Sequence, residues 1–286
     1  MKNTITCNAY AKINLGLDVV RRLPNGYHEV RMIMQTVDIY DVLTFSKTTQ
    51  GIQLKVDNVT LPTDENNLIY KAAKLLLETK GVTGGVSIAL EKNIPIAAGM
   101  AGGSTDAAAT LLAVNALYEL GLDIEELKEL GVKIGADVPY CIEGGTALAE
   151  GIGEMLTALP TPPPCYLVVA KPDINVSTKF VYENLRANEL KTHPDIDGMV
   201  RALHDGNLQG IASRLANVLE TVTIPAYPII QDIKDTLLST GAINALMSGS
   251  GPTVFGLFTD REKAKAAADV VRDKELAKQI FVTTFH

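Results

Sequence analysis

A chain of 286 residues, 47% of them hydrophobic and 21% charged, can bury more than one core and reads as two globular domains. Its formal net charge of −7 supplies no overall attraction to nucleic acid or to an anionic lipid surface, so neither is an expected partner. Three scattered cysteines (Cys7, Cys141, Cys165) and four isolated histidines (His28, His193, His204, His286) exclude a disulfide framework and give no support to a zinc site.

In chain order, the stretch from Met1 to Ala11 is mixed polar and apolar, without the apolar core of a secretion signal. The longest apolar runs, such as Tyr166 to Ala170, are too short to span a bilayer, and the chain is expected in the cytoplasm. Alternating or apolar runs predict strands over Ala9–Val20 and Glu29–Val37, with Pro24-Asn25-Gly26 as the turn between them. Further strands are expected at Val42–Phe45 and Ile52–Val56. Leu68, Ala72, Leu75 and Leu76 fall at helical spacing within Asn67–Thr79, and Gly81 ends that helix. A strand at Val86–Leu90 leads into a glycine-rich loop, followed by a helix over Asp106–Leu120. Another helix starts at Asp123 and ends near Gly131, and Ala136-Asp137-Val138-Pro139 interrupts regular structure.

Thr161-Pro162-Pro163-Pro164 is a stiff, polyproline-like stretch and the best boundary, dividing the chain into residues 1–160 and 161–286. Beyond it the pattern predicts a strand at Tyr166–Ala170 and helices over Thr178–Leu190, Asp195–His204, Asn207–Ala216 and Ile229–Ser239. Strands at Ala242–Met247 and Thr253–Phe258, a helix from Arg261 and a strand at Ile280–Phe285 complete it. Strands and helices alternate without a repeat, which fits two α+β domains.

The most informative stretch is Pro95-Ile96-Ala97-Ala98-Gly99-Met100-Ala101-Gly102-Gly103-Ser104-Thr105-Asp106. Three glycines and small side chains let backbone N–H groups close around an anion, and the helix that follows adds its positive end. Phosphate is the guest this favours. The plainer alternative is a loop capped by Ser104 or Thr105, with Asp106 in the first turn. A P-loop is excluded, because Gly103 is followed by Ser104-Thr105 rather than by Lys and a hydroxyl residue. Gly151-Ile152-Gly153 and Gly249-Ser250-Gly251 lack the third glycine of a dinucleotide fingerprint. The protein-kinase His-Arg-Asp and Asp-Phe-Gly sets are absent.

Four more clusters carry chemistry. In Ala9-Tyr10-Ala11-Lys12-Ile13-Asn14-Leu15-Gly16-Leu17 the lysine and asparagine share one strand face; alone, Lys12 would read as a solvated side chain. Gly26-Tyr27-His28-Glu29 places an aromatic face beside an imidazole at a turn, suited to a ring ligand or equally to packing on the sheet. Gly135-Ala136-Asp137-Val138-Pro139 holds a carboxylate among small residues, a setting that also suits a loop cap. Met247-Ser248-Gly249-Ser250-Gly251-Pro252-Thr253 is a second glycine turn, either a plain hairpin or a close neighbour of a ligand or of the first loop. Asp41, Asp106 and Glu143 read as turn, cap or surface groups.

Together and in this order the clusters resemble the GHMP kinases, the superfamily of galactokinase, homoserine kinase, mevalonate kinase and phosphomevalonate kinase. Its three motifs are found at Ala9–Gly16, Pro95–Ala109 and Met247–Pro252. Ala11 to Leu17, Asn25 to Glu29, Ala97-Ala98-Gly99, Ala101 to Ser104 and Gly135 to Pro139 are similar to the branch that phosphorylates a cytidine diphosphate-linked methylerythritol. Gly-Tyr-His and Ala-Asp-Val-Pro set that branch apart, and the similarity covers nearly the whole chain. Met100 stands where leucine is usual and Thr105 where serine is usual; bulk and hydroxyl are retained.

The resemblance implies an N-terminal ATP-binding domain like the second domain of ribosomal protein S5 and a ferredoxin-like C-terminal domain that contributes to the substrate site. It implies phosphoryl transfer from ATP to the 2-hydroxyl of the small-molecule substrate, giving ADP and a 2-phosphate, in the methylerythritol phosphate route to isopentenyl diphosphate. Pro95 to Thr105 would wrap the ATP phosphates through backbone N–H groups from Ala98 to Thr105, and Asn67-Leu68-Ile69 with the stretch near Lys92 would line the adenine. Mg²⁺ is expected with the ATP near Ser104 or Thr105, its protein ligands unassigned. Asn14, Tyr27, His28 and Tyr182 would bind substrate, the two tyrosines on opposite faces of the cytosine. Asp137 would take the hydroxyl proton, and Lys12 would hold Asp137 ionised and draw charge from the nucleophile. S5-like domains also occur in RNA-binding proteins, but the acidic balance argues against that reading. No self-complementary patch assigns an oligomeric state.

Overall fold

A computed structural model describes residues 3–57 and 60–286; Met1 and Lys2, which head the stretch read as lacking a signal core, lie outside the described residues. The chain opens with two long strands, β1 (Thr4–Arg22) and β2 (His28–Thr48), then β3 (Ile52–Val56), α1 (Leu68–Thr79) and β4 (Gly85–Glu91). Next come α2 (Gly102–Tyr118), α3 (Ile124–Val132), α4 (Val138–Glu143) and a hairpin, β5 (Thr146–Glu150) and β6 (Met155–Leu159). The remainder is β7 (Tyr166–Lys171), α5 (Thr178–Asn184), α6 (Ile196–His204), α7 (Leu208–Ala212), β8 (Ala216–Asn217) and α8 (Glu220–Ala226). It closes with α9 (Ile229–Ser239), β9 (Asn244–Met247), β10 (Val254–Phe258), α10 (Arg261–Asp273) and β11 (Gln279–Thr284). The α+β class expected from the alternation is what the chain adopts.

Two compact units share these elements, and neither is continuous in sequence. The first takes the chain up to Ala11, Ile39–Ile94 and Ala101–Gly144; the second takes Lys12–Asp38, Pro95–Met100 and Gly145–His286. β1 and β2 therefore contribute residues to both. The proline run at 162–164 falls inside the second unit.

In the first unit β3 pairs parallel with β4, and β4 pairs antiparallel with the later half of β2, from Val42↔Glu91 to Thr48↔Gly85. α2 lies in the core: Ala107, Ala108, Leu111, Val114 and Leu117 are buried with Ile69, Ala72 and Leu76 of α1 and Leu43, Phe45 and Ile88 of the strands. Within α2 just Gly103 and Ala116 are exposed, so the helix has little solvent face to present, which explains its run of alanines and leucines. Asp123 and Glu126 form a reciprocal capping box at the head of α3, each carboxylate accepting the other's backbone N–H at 2.9 Å.

In the second unit β5 pairs with the earlier half of β2 from Met32↔Ala149 to Gln35↔Thr146, and β8 runs parallel to β1 at Gly16↔Ala216 and Leu17↔Asn217. A separate antiparallel sheet has the order β11-β7-β10-β9. Counting its strands along the chain gives 4-1-3-2, and helices separate the first from the second and the third from the fourth. That βαββαβ order is the ferredoxin-like arrangement.

Several expectations are corrected. β2 is one strand where two were expected, because Asp41, which looked like a break, is satisfied inside it by the N–H groups of Asn93 (2.6 Å) and Ile94 (2.8 Å). Gly151 to Gly153 form the turn of the unpredicted β5–β6 hairpin. α8 was missed because Pro225 and its β-branched residues argue against a helix. The helix expected over Thr178–Leu190 stops at Asn184. The strand expected from Ala242 begins at Asn244. Val138 starts α4, so regular structure resumes at once after Asp137. Among the described residues no helix is long and apolar enough to cross a membrane.

Gly85 tests the packing of the first unit. A Cβ there would fall 2.2 Å from the Gln50 carbonyl carbon and the Gly51 carbonyl oxygen, both backbone atoms with little room to yield. Gly85→Ala should lower unfolding free energy by about 1–3 kcal/mol or more, read as a lower urea midpoint; an unchanged midpoint would show that the facing turn gives way freely.

Candidate active site

The glycine-rich stretch is half loop and half helix. α2 begins at Gly102, four residues before the expected start, so Ser104 and Thr105 lie inside its first turn and do not cap it. Its N-cap is Ala101 in the left-handed region (φ 57°), and Ala97 (φ 52°) and Gly99 (φ 71°) share that conformation. Left-handed backbone in alanine costs on the order of 1–3 kcal/mol and gathers at ligand sites. With no capping side chain, the N–H groups of Gly102, Gly103 and Ser104 have no carbonyl one turn back. Thr105 is excluded from that set: its N–H bonds Ala101 O at 2.9 Å, and its buried hydroxyl donates to Tyr10 O at 2.7 Å. Asn67 is committed locally, accepting from Ile69 N (2.9 Å) as the cap of α1 and donating to Pro62 O (2.8 Å). Pro95 and Ala98 are buried, and Ile96 is exposed.

Behind this turn lies a charge cluster that the sequence reading missed. Lys92, its side chain 5% exposed, pairs closely with the fully buried Asp41 and sits 3.2 Å from Asp106 Oδ2. Asp106 Oδ1 is buried without a hydrogen-bond partner. Burial, offset by Lys92 and reinforced by Asp41, holds the Asp106 carboxyl well above the ordinary carboxylate range. Asp41 and Asp106 are therefore not turn or cap groups, whereas Glu143 does pair with Lys128 at 2.9 Å near the surface. The signal for Asp41 was its phase, since it shares a strand face with buried Ile39, Leu43 and Phe45.

In the second unit Lys12 is 5% exposed, with Ala11, Ile13 and Leu15 fully buried around it. Its ammonium donates to Asn14 Oδ1 (2.8 Å) and to the Gly99 carbonyl (3.3 Å), so the strand-face pairing of Lys12 and Asn14 is realised. Among the described residues no carboxylate forms an ion pair with it. Asn14 Nδ2 lies 3.3 Å from Met32 Sδ, and the backbone N–H of Lys12 bonds Met100 O at 3.2 Å. Gly99 could hold no side chain, because a Cβ there would fall 2.3 Å from Ser248 O of the second glycine turn. That turn is thus a close neighbour of the first loop.

Also in the second unit, the rings of His28 and Tyr182 meet with centroids 5.1 Å apart at 42°. Burial, and then the Arg22 charge, draw the His28 pKa below the ordinary imidazole value, which leaves the ring neutral at pH 7. Tyr27, at the turn, is 60% exposed, and its N–H bonds Asn25 Oδ1 at 3.1 Å. Asp137, in the first unit, occupies the N-cap position of α4, yet its side chain makes no capping bond. The loop-cap alternative for that carboxylate is not what the structure has.

Two family models match the chain: GHMP kinases N terminal domain over residues 67–145 and GHMP kinases C terminal over residues 199–277. The fold and these matches define a GHMP kinase, an enzyme that phosphorylates a small molecule. A 4-diphosphocytidyl-2-C-methyl-D-erythritol kinase of Lachnoclostridium phytofermentans is 54% identical over 282 residues, covering 98% of this chain and 97% of the relative. The kinase of that name from Lachnospira eligens is 52% identical, covering 98% of each. A crystal structure of 4-(cytidine 5'-diphospho)-2C-methyl-D-erythritol kinase superposes with a TM-score of 0.85 at 34% identity, over 98% of this chain and 99% of that one. A homoserine kinase from Cytophaga hutchinsonii shares the fold (TM-score 0.81, 23% identity, 100% and 96% covered). The chain belongs to the 4-diphosphocytidyl-2-C-methyl-D-erythritol kinase family.

The buried charge cluster makes a stability prediction. Lys92→Met should cost about 3–5 kcal/mol, because it leaves two buried carboxylates without their cation. Asp106 has a raised folded-state pKa, so the folded protein binds more protons than the unfolded chain above about pH 4 and loses stability as pH rises toward that value. Asp106→Asn should flatten this fall. Urea unfolding of both proteins from pH 4 to 8 checks it; parallel curves would show that Asp106 carries its charge in the folded state.

Proposed function

We propose that the enzyme transfers the γ-phosphoryl group of ATP to the 2-hydroxyl of 4-diphosphocytidyl-2-C-methyl-D-erythritol, giving the 2-phosphate and ADP. This is the kinase step of the methylerythritol phosphate route to isopentenyl diphosphate. The names of relatives about half identical over nearly the whole chain support the acceptor. The observation that carries the chemistry is Lys12, a buried ammonium held, among the described residues, by neutral oxygens. A buried charge without a counter-ion is costly, and an anionic substrate supplies the missing partner.

In this reading the substrate oxygen attacks the γ-phosphorus, the bond to the β–γ bridging oxygen breaks, and the hydroxyl proton passes to Asp137. Its freedom from capping supports that role. Lys12 stabilises the charge that develops on the transferring group, and Asn14 orients Lys12. The first-turn N–H groups of α2 hold the phosphates, with Thr105 and the Asn67 side chain serving structure. Tyr27 stacks on the cytosine, and the neutral His28 meets its hydrogen-bonding edge against Tyr182.

No group of three metal-binding side chains converges among the described residues. One serine hydroxyl and the phosphates themselves suit Mg²⁺, which keeps several waters and binds few protein ligands. Ser104 is the hydroxyl left for it, and the ion would neutralise phosphate charge when bound. Residues 1–160 are read as the ATP-binding domain and 161–286 as the domain that contributes to the substrate site, a division supported by family matches on either side of the proline run. A cytoplasmic location is supported by three cysteines outside any disulfide, as a reducing compartment keeps them. The partner is the small-molecule substrate, with no nucleic acid.

Purified enzyme with ATP, Mg²⁺ and the diphosphocytidyl substrate should yield ADP and the 2-phosphate. Asp137→Asn should lower kcat on the order of 10²-fold or more with KM little changed, and Lys12→Ala should cost a comparable factor. Normal kcat in Asp137→Asn would remove the proton-acceptor role while leaving the reaction standing.

Affinity should separate by site. A Cβ at Gly103 would meet only Leu68 Cδ1, at 3.4 Å, so Gly103→Val should fold and raise KM for ATP by intruding on phosphate space. Tyr27→Ala should instead raise KM for the cytidine substrate roughly ten-fold, the scale of one lost base–aromatic stack. Steady-state kinetics with each substrate varied would expose a crossed or absent effect.

A further inference from the structure

Ser248 has no part in the mechanism above, yet it is fully buried and its hydroxyl donates to the Gly99 carbonyl at 3.0 Å. That same oxygen accepts from the Lys12 ammonium at 3.3 Å. The carbonyl is thus shared between a serine of the second glycine turn and the lysine of β1, all within the second unit. Its place is fixed from the backbone side as well, since Gly99 packs directly under Ser248 O.

Ser248 is itself held. Asn217 donates from Nδ2 to the carbonyls of Met247 and Gly249, each at 2.8 Å, and so spans the serine. Its Oδ1 accepts the N–H of Leu219 at 2.9 Å, which fixes the amide's orientation. Glu220 accepts the N–H of Met247 at 2.9 Å and is anchored by Lys234 at 2.7 Å. Asn217 lies beside Leu17 of β1, the strand that carries Lys12. Asn217-Val-Leu-Glu220 therefore binds the backbone polar groups on both sides of Ser248.

We infer that Ser248 is a positioning residue for Lys12, acting through the Gly99 carbonyl, and that Asn217 and Glu220 hold Ser248 in place for that task. The inference rests on the reading of Lys12 as catalytic. Its physical basis is that a lysine chain has many rotamers and no carboxylate here to choose among them. Two neutral oxygens set its direction, one on Asn14 of its own strand and one whose position Ser248 governs. A catalytic group displaced by about 1 Å can lose 10²-fold in rate, so a partial loosening should be visible.

The test is a double-mutant cycle on Ser248→Ala and Lys12→Ala, with single-turnover phosphoryl transfer measured at saturating ATP and diphosphocytidyl substrate. Ser248→Ala should slow transfer roughly three- to ten-fold, the scale of one hydrogen bond, with KM for both substrates unchanged. In the Lys12→Ala background the same change should cost less than about two-fold, because the group it positions is gone. Full transfer rate in folded Ser248→Ala, or an equal loss in both backgrounds, would overturn the inference, since a general structural role predicts the latter. A wild-type rate in Lys12→Ala alone would instead sink the catalytic reading of Lys12 and this inference with it. Should Ser248→Ala unfold, Ser248→Cys keeps the volume with a weaker donor and is read in the same way.

Discussion

A buried ammonium group whose partners among the described residues are neutral oxygens is the constraint on which the second unit depends. Lys12 sits on a strand whose neighbouring residues are buried on both faces, and it is itself only 5% exposed. Two arrangements satisfy such a group, a buried counter-ion or a site that awaits an anion. Among the described residues Lys12 has no counter-ion, and under the proposed function it is the second that applies. Asn14 lies two residues along the same strand face, and the loop of Pro95–Met100 brings the Gly99 carbonyl across. That approach in turn demands glycine at 99 and a tight turn at Met247–Gly251, so two glycine motifs far apart in sequence answer to one lysine.

Lys92 shows what the other arrangement looks like. Its side chain is only 5% exposed, and it faces Asp41 and Asp106. With two carboxylates for one ammonium the cluster has no appetite for an added anion. Asp106 meets the surplus through a raised pKa, so that less negative charge lies behind the first turn of α2. That matters for the turn's other side, where uncapped N–H groups suit phosphate and a bare carboxylate close behind would oppose it. Two lysines with largely buried ammonium groups thus differ in the company of carboxylates. Burial alone would not have separated them.

The sequence made parts of this legible and hid others for identifiable reasons. The glycine loop, the shared face of Lys12 and Asn14 and the Asp123 capping box rest on local chemistry, and each is read from a few adjacent residues. The start of α2 was misplaced because the capping rule looks for a hydroxyl or carboxylate, whereas Ala101 enters the helix from a left-handed conformation that no local pattern announces. Asp41 looked like a surface group because its partners, Lys92 and Asp106, lie some fifty residues or more away. Asn217 escaped notice in a two-residue strand too short to leave a periodic trace, and its partners are carbonyls, which sequence does not display. Local rules see side-chain types. They do not see which backbone atoms a distant side chain will serve.

What remains is how one frame comes to choose one acceptor. A homoserine kinase shares the fold at 23% identity, so the fold by itself does not select between an amino acid and a nucleotide-linked polyol. The features argued to serve phosphoryl transfer are backbone N–H groups, a buried lysine and a turn of small residues, none of which reads a base. Selection has to come from side chains that stand outside that frame. His28 and Tyr182 fit the need: one lies just past an exposed turn, the other on the short helix α5, and their partly buried rings meet at a 42° tilt. For the role proposed for His28 its neutrality matters, because an uncharged imidazole has both a donor and an acceptor to offer a base edge, whereas an imidazolium has donors only. Burial and Arg22 keep it in that state, so under the proposed function recognition of the base would draw on the local electrostatics as well as on shape.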